Sequence, residues 1–142
     1  MCLAELKLAC PKLESEYHNP SLLDIAGVNY LKFDLLNNLT EKDIVILSRL
    51  SFVFALFELV EIEGHKHLIP IEKYKYEYLD TKIGSLLKYP GKTNELFTKM
   101  MINVALLSSD FNYSDNIKIL DPIAGKGTTL FEASVYGFNS FG

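Results

Sequence analysis

Two short stretches hold residues whose types and spacing could do chemistry. One is Asp121-Pro122-Ile123-Ala124-Gly125-Lys126-Gly127-Thr128-Thr129. The other is Gly91-Lys92-Thr93-Asn94. Glycines spaced two apart, with lysine and threonine beside them, suit a loop whose backbone closes around a phosphate or nucleotide-like ligand. A phosphate-binding P-loop needs G-x-x-x-x-G-K-[ST]. Gly91-Lys92-Thr93 supplies the second half, but its first glycine would fall at Leu86. Gly125-Lys126-Gly127 has a glycine after its lysine and fails the same test. A dinucleotide fingerprint needs G-x-G-x-x-G, and position 130 is Leu130. What remains is D-P-x-x-G-x-G-T-x-x-x-E-A, ending at Glu132-Ala133. Its plain alternative is a turn between strand and helix that binds nothing.

The elements that must position this loop are legible on either side. Ile117, Ile119 and Leu120 are the residues of a buried parallel strand. Asp121-Pro122 stops it, because proline cannot donate to a ladder. Gly125 and Gly127 allow backbone angles that a Cβ forbids. Thr128 or Thr129 is the expected helix cap, with Gly137 at the far end as C-cap. Strand, glycine turn and helix N-terminus together make the ligand corner of a Rossmann-like sheet. Upstream, Thr93 or Asn94 caps a second helix, on which Phe97, Met100, Met101, Val104 and Leu107 recur at helical spacing as expected core.

The D-P-x-x-G-x-G-T pattern resembles the S-adenosylmethionine loop of exocyclic-amino methyltransferases, whose usual form is of a DPF.GSGT type. Ile123 stands where the aromatic is common and Lys126 where serine is common. Tyr89-Pro90-Gly91-Lys92-Thr93-Asn94-Glu95 resembles the helix start in the THUMP-linked RNA guanine-N2 methyltransferases, and the strong resemblance covers roughly the last third of the chain. It implies that Asp121, Pro122, Ala124, Gly125, Lys126, Gly127 and Thr128 form the cofactor pocket, with Lys92, Thr93 and Asn94 approaching from the side. It implies S-adenosylmethionine as cofactor, methyl transfer to a nucleobase amine, and guanine N2 of RNA as target. DNA adenine-N6 or cytosine-N4 methylation uses a similar loop and is the alternative within that class. A non-catalytic, truncated interaction module is the alternative outside it.

The resemblance also marks departures. In the family, the ribose-binding carboxylate lies just beyond a glycine such as Gly142, and the catalytic Asn/Asp-Pro-Pro-aromatic segment follows later. No such triplet occurs in this sequence. A full sheet needs roughly a further domain of residues after the loop. The expectation is a fragment cut at both ends, with weak cofactor affinity, no catalytic residue of its own and no transfer activity alone. Its uncovered parallel strand, with Phe131, Phe138 and Phe141 exposed, predicts that the chain pairs with another copy or rearranges its C-terminal third.

Before the loop the chain reads as an α+β module spanning 1–80, with the start of the α/β methyltransferase domain (first strand and helix) at 81–142. Met1 to Cys10 is helical and ends at Pro11, and Lys12 to Pro20 is polar and loop-like. Val28 to Leu35 alternates as a strand, and Asn37-Asn38 turns the chain. Thr40 caps a helix through Leu50, helped by Glu41 and Asp43. Phe52 to Ile62 is a strand, Glu63-Gly64 a hairpin turn, and His67 to Ile71 the return. By family analogy, the module helps place RNA.

Other residues suggest chemistry more weakly. His65 and His67 share one face of a strand but lack a third ligand, so no metal site is expected. Tyr74, Tyr76 and Tyr78 interleave with Lys73, Lys75 and Glu77, as a base-stacking surface or a half-buried edge strand would. The chain of 142 residues is 49% hydrophobic and 23% charged, the balance of a globular domain. Its net charge of -4 is not the footprint of a self-sufficient nucleic-acid binder. Cys2 and Cys10 have no metal or disulfide spacing and fit a reducing interior. The most apolar run, Leu50 to Val60, is too short to span a bilayer and holds Glu58. The expected location is cytoplasmic, without membrane contact.

Overall fold

The protein is seen in a computed structural model that describes residues 2–80, 82 and 90–142. Most of 81–89, where the second unit was expected to open and where Leu86 and Tyr89 fall, lies outside the described residues. The fold is α+β. Helix α1 (Cys2–Ala9) runs into one 3-10 turn at Cys10–Lys12, as Pro11 requires. Strands β1 (Tyr17–Ile25) and β2 (Val28–Leu35) form an antiparallel hairpin. Helix α2 (Glu41–Arg49) leads to a second hairpin, β3 (Leu56–Ile62) with β4 (His65–Ile71). Helix α3 (Glu95–Leu107), strand β5 (Lys118–Leu120), helix α4 (Thr128–Val135) and strand β6 (Asn139–Phe141) follow. Strands β5 and β6 are parallel, with Lys118 opposite Asn139 and Leu120 opposite Phe141.

Strand β1 corrects the expectation of a loop from Lys12 to Pro20. Asn19 has φ 51°, and the register shifts between His18 and Ser21. The bulge takes up Pro20, which has no N–H to give to a ladder. Strand β3 opens at Leu56 rather than Phe52. Residues before it turn instead, with the Val53 N–H donating to Leu50 O at 3.2 Å. The Glu63-Gly64 turn has φ 52° and 77°, the positive pair that matches strand twist in a two-residue hairpin.

The start of α2 follows its sequence. The Asp43 N–H donates to Thr40 Oγ1 at 3.2 Å, and the Thr40 N–H donates back to Asp43 Oδ2 at 3.1 Å. Asp43 also accepts from the Glu14 N–H at 2.7 Å and the Ser15 hydroxyl at 2.6 Å. Burial pushes its carboxyl upward, but these hydrogen bonds hold it below the usual carboxylate range.

One apolar cluster joins Leu6, Ala9, Cys10, Leu47, Leu50 and Leu107. A second joins Tyr76, Ile102, Leu106, Ile117, Ala133, Tyr136 and Phe138. Tyr113 packs against both, and α3 contributes to both. A buried polar network ties the clusters together. Asn103 Nδ2 donates to Glu5 Oε1 at 2.7 Å and to Arg49 O at 2.8 Å. Tyr136 donates to the same Arg49 carbonyl at 2.8 Å, and Tyr113 donates to Asn103 Oδ1 at 3.0 Å. Satisfied networks of this kind fix one packing arrangement out of many.

Helix α3 buries only part of the face expected of it: Leu107 is buried, and Met100 and Val104 are half-buried. Phe97 and Met101 are 41% and 40% exposed, whereas Thr98, Ile102, Asn103, Leu106 and Leu107 turn inward. Thr98 and Asn103 are polar but hydrogen-bonded, so a pattern that counts only apolar residues misplaces the stripe. The run 72–77 is not a strand. Lys73 donates to Val53 O at 2.9 Å, Tyr76 is buried against Tyr136, and the Tyr78 N–H donates to Val135 O at 3.0 Å. Phe138 is buried and Phe131 half-buried, so of the three phenylalanines expected on the surface only Phe141 is there.

Candidate functional site: the glycine loop between β5 and α4

The loop begins where β5 ends. The Asp121 N–H donates to Phe141 O at 2.8 Å, extending the parallel pairing by one bond. Pro122 follows where a further ladder donor would be needed. Asp121 Oδ1 then accepts the Ile123 N–H at 3.1 Å, so the carboxylate shapes its own turn. The Gly127 N–H donates to Ala124 O at 2.8 Å and closes a second turn across Gly125 and Lys126. Gly125 and Gly127 have φ 57° and 82°, both in the left-handed region. A Cβ at either would meet nothing nearer than 3.9 Å, so backbone conformation and not crowding calls for glycine.

Gly127 is itself the N-cap of α4, without a side-chain cap bond, and Thr128 is the first helical residue. This corrects the expected threonine cap: once Gly127 takes the left-handed turn, the threonines have already entered the helix. The first intrahelical bond runs from the Phe131 N–H to Gly127 O at 2.9 Å. Backbone donors of a helix's first turn point outward, and the positive end of its dipole lies there. Pro122, Ile123, Gly125 and Lys126 are exposed, with Ile123 at 89%. Asp121, Ala124, Gly127 and Thr128 are half-buried. Beneath the loop, Gly142 leaves no room for a side chain. A Cβ there would lie 2.6 Å from the Ala124 Cβ and 2.7 Å from Asp121 O.

The far end of α4 is also held closely. The Gly137 N–H donates to Ser134 O and the Phe138 N–H to Ala133 O, both at 3.0 Å, with Gly137 at φ 80°. This is the paired C-terminal capping arrangement that the sequence placed at Gly137. The Tyr78 ring covers Gly137, and a Cβ there would come within 2.5 Å of it.

The Gly91 turn, φ 78°, delivers the second set of candidates. Asn94 caps α3, its Oδ1 accepting the Phe97 N–H at 3.1 Å, and Thr93 is exposed beside it. Lys92 Nζ meets Glu95 Oε1 at 2.5 Å with a side chain only 14% exposed, and holds that carboxyl below its ordinary value. Helices α3 and α4 pack together, and Lys92 lies near enough to Glu132 for their charges to interact. Burial pushes Glu132 up, opposed by Lys99 and Lys92. Lys92 is thus held by Glu95 at the start of α3, while Asp121 to Thr128 form one continuous turn-and-helix unit.

No family model, curated protein or solved structure matches this chain.

His65 and His67 are exposed on β4, and no group of three metal-ligating side chains occurs among the described residues. No helix among them is long and apolar enough to cross a membrane. An open groove of about 520 Å³ lined by Cys10, Pro11, Leu13 and residues 14–19 contains none of the loop residues. Two features escaped the sequence reading. Glu132 belongs to the D-P-x-x-G-x-G-T-x-x-x-E pattern, but its burial beside Lys92 and Lys99 had no signal in spacing. Arg49, the single arginine of the chain, closes α2 and is almost wholly buried. Its uniqueness was the available clue.

Proposed function

We propose that this chain carries the cofactor-binding strand, loop and helix of an S-adenosylmethionine-dependent methyltransferase that acts on an exocyclic nucleobase amine, with guanine N2 of RNA as target. The observation that carries the reading is the backbone of Asp121–Gly127. It pairs an Asx turn with two left-handed glycines and enters directly into a helix that is followed by a parallel strand. The order of strand, turn, helix and parallel strand supports a Rossmann-like reading, in which ligands lie at the carboxyl ends of parallel strands. Asp121, Pro122, Ala124, Gly125, Lys126, Gly127 and Thr128 line the cofactor side, and Lys92, Thr93 and Asn94 approach along α3. The reading gives no residue of this chain a role in methyl transfer itself, and no Asp-Pro-Pro or Asn-Pro-Pro triplet occurs in it. Residues 1–80 serve to place the nucleic acid.

Calorimetric titration with S-adenosylhomocysteine tests it. Saturable binding is expected for the wild type and is lost in Asp121→Ala and Gly125→Val. A folded wild type that binds nothing, or variants that bind equally well, would sink the cofactor reading.

A further inference from the structure

Arg49 is 5% exposed, and its Nε and Nη1 have no hydrogen-bond partner. None of the ion pairs among the described residues involves it. Burial lowers its pKa, and the largest opposing influences come from tyrosines. Instead its guanidinium carbon lies 4.8 Å from the Tyr113 ring centroid, 4.9 Å from Tyr76, 5.5 Å from Tyr136 and 6.0 Å from Phe138. Three of these rings stack in series, Tyr76 on Tyr136 at 5.2 Å and Tyr136 on Phe138 at 5.5 Å. Nε and Nη1 do not share an edge of the guanidinium, so they do not form one fork for a carboxylate or phosphate. The cation is held by ring faces.

The four rings come from three separate stretches of the chain. Tyr76 belongs to the connector after β4, Tyr113 to the loop before β5, Tyr136 to the end of α4 and Phe138 to the entry of β6. An apolar side chain would fill the same space but would not align four ring quadrupoles on one point. Tyr136 and Phe138 flank Gly137, and from that turn two elements lead back to the glycine loop. Helix α4 reaches it at Gly127. Strand β6 reaches it at Phe141 and Gly142, against Asp121 and Ala124. The loop is therefore spanned between two elements rooted at one turn, and Arg49 grips that turn by side chain and by main chain, through the Tyr136 hydroxyl.

We propose that Arg49 is a positioning residue for the glycine loop, by which the α2 end of the molecule fixes where the cofactor-binding backbone lies. Its functional meaning rests on the cofactor reading above, but its geometry is testable without ligand. A guanidinium buried with unpartnered donors is costly for folding, and replacing it with an apolar side chain of similar length is often neutral or stabilising. A merely structural Arg49 and a positioning one therefore predict different outcomes.

The experiment is amide hydrogen exchange of residues 121–131, with thermal unfolding, in the whole chain as wild type, Arg49→Met and Arg49→Lys. For Arg49→Met the expected result is an unchanged or raised Tm with loop exchange faster by roughly tenfold, and unchanged exchange in β1 and β2. Arg49→Lys keeps a cation near the rings and is expected to fall between. Unchanged loop exchange in Arg49→Met overturns the proposal, as does acceleration spread equally through β1 and β2 with a lower Tm. If Arg49→Met does not fold, Arg49→Lys decides by the same readout. Titration with S-adenosylhomocysteine separates the two claims. A wild type that binds none removes the cofactor reading, while loop exchange still decides the role of Arg49.

Discussion

The two ends of α2 each bury a charged side chain, and they do so by opposite means. At the first turn, Asp43 has its carboxylate occupied by Thr40, Ser15 and Glu14. At the last, Arg49 leaves Nε and Nη1 without acceptors and is surrounded by four aromatic rings. The cation is at the favourable end of the helix dipole, as is the anion. Only the anion is saturated by hydrogen bonds. A hydrogen-bonded charge resists removal because its partners would be stranded. A charge held by ring faces strands nothing when removed, so its loss costs orientation more than stability. One end secures the fold, and the other aims a distant loop.

The largest expected effect tests the saturated end. Asp43→Ala removes the capping box and takes the acceptor from the Glu14 and Thr40 N–H groups, while the Ser15 hydroxyl keeps Asn38 O, and is expected to cost about 3 kcal/mol in urea unfolding. A loss below about 1 kcal/mol would erase the contrast with Arg49→Met. Gly137→Ala comes next. The positive φ and the Tyr78 ring together predict about 2 kcal/mol of destabilisation by the same measurement. A neutral result would mean that the turn gripped by Arg49 tolerates a Cβ.

A smaller effect is expected in acid. The folded pKa of Asp43 lies below its unfolded value of about 3.9. Its contribution is therefore fully present above that value and is lost as pH falls through the folded pKa. Stability measured from pH 6 to pH 2 should fall less steeply in Asp43→Asn than in the wild type, and equal slopes would remove Asp43 from the acid transition. Tyr136→Phe deletes one of two donors to Arg49 O and is expected to cost about 1 kcal/mol, because Asn103 remains on the same oxygen. The smallest perturbation is chemical. Burial pushes the Cys10 thiol up to about 11, while Cys2 is exposed. Alkylation at pH 8 should label Cys2 and spare Cys10 in the folded protein. Equal labelling would show that the cluster around Leu6 and Leu47 opens readily.

Local chemistry made several elements legible. Thr40 followed by an acid at the third helical position announced the α2 cap, and Glu63-Gly64 announced a hairpin. Asp121-Pro122 with Gly125 and Gly127 announced the turn between β5 and α4. Elsewhere tertiary context overrode local signals. Pro20 disguised β1 because a bulge can absorb a missing donor. The inward face of α3 was hidden because Thr98 and Asn103 are buried by hydrogen bonding and not by hydrophobicity. Tyr74, Tyr76 and Tyr78 read as alternation, yet only Tyr76 is buried, because rings far along the chain receive it. Arg49 stood out in sequence only as the single arginine, because the rings that bury it extend to Phe138.

That separation has a consequence for synthesis of the protein. Both hairpins close through two-residue turns and can pair as soon as they leave the ribosome. Arg49 lies 87 positions before Tyr136. While the intervening residues are made, α2 ends in a hydrated cation with only part of its aromatic surround. That charge is withdrawn from water only when Tyr136 and Phe138 arrive, the same moment at which β6 can pair with β5. Burial of one arginine thus marks, in time, the completion of the glycine loop's supports.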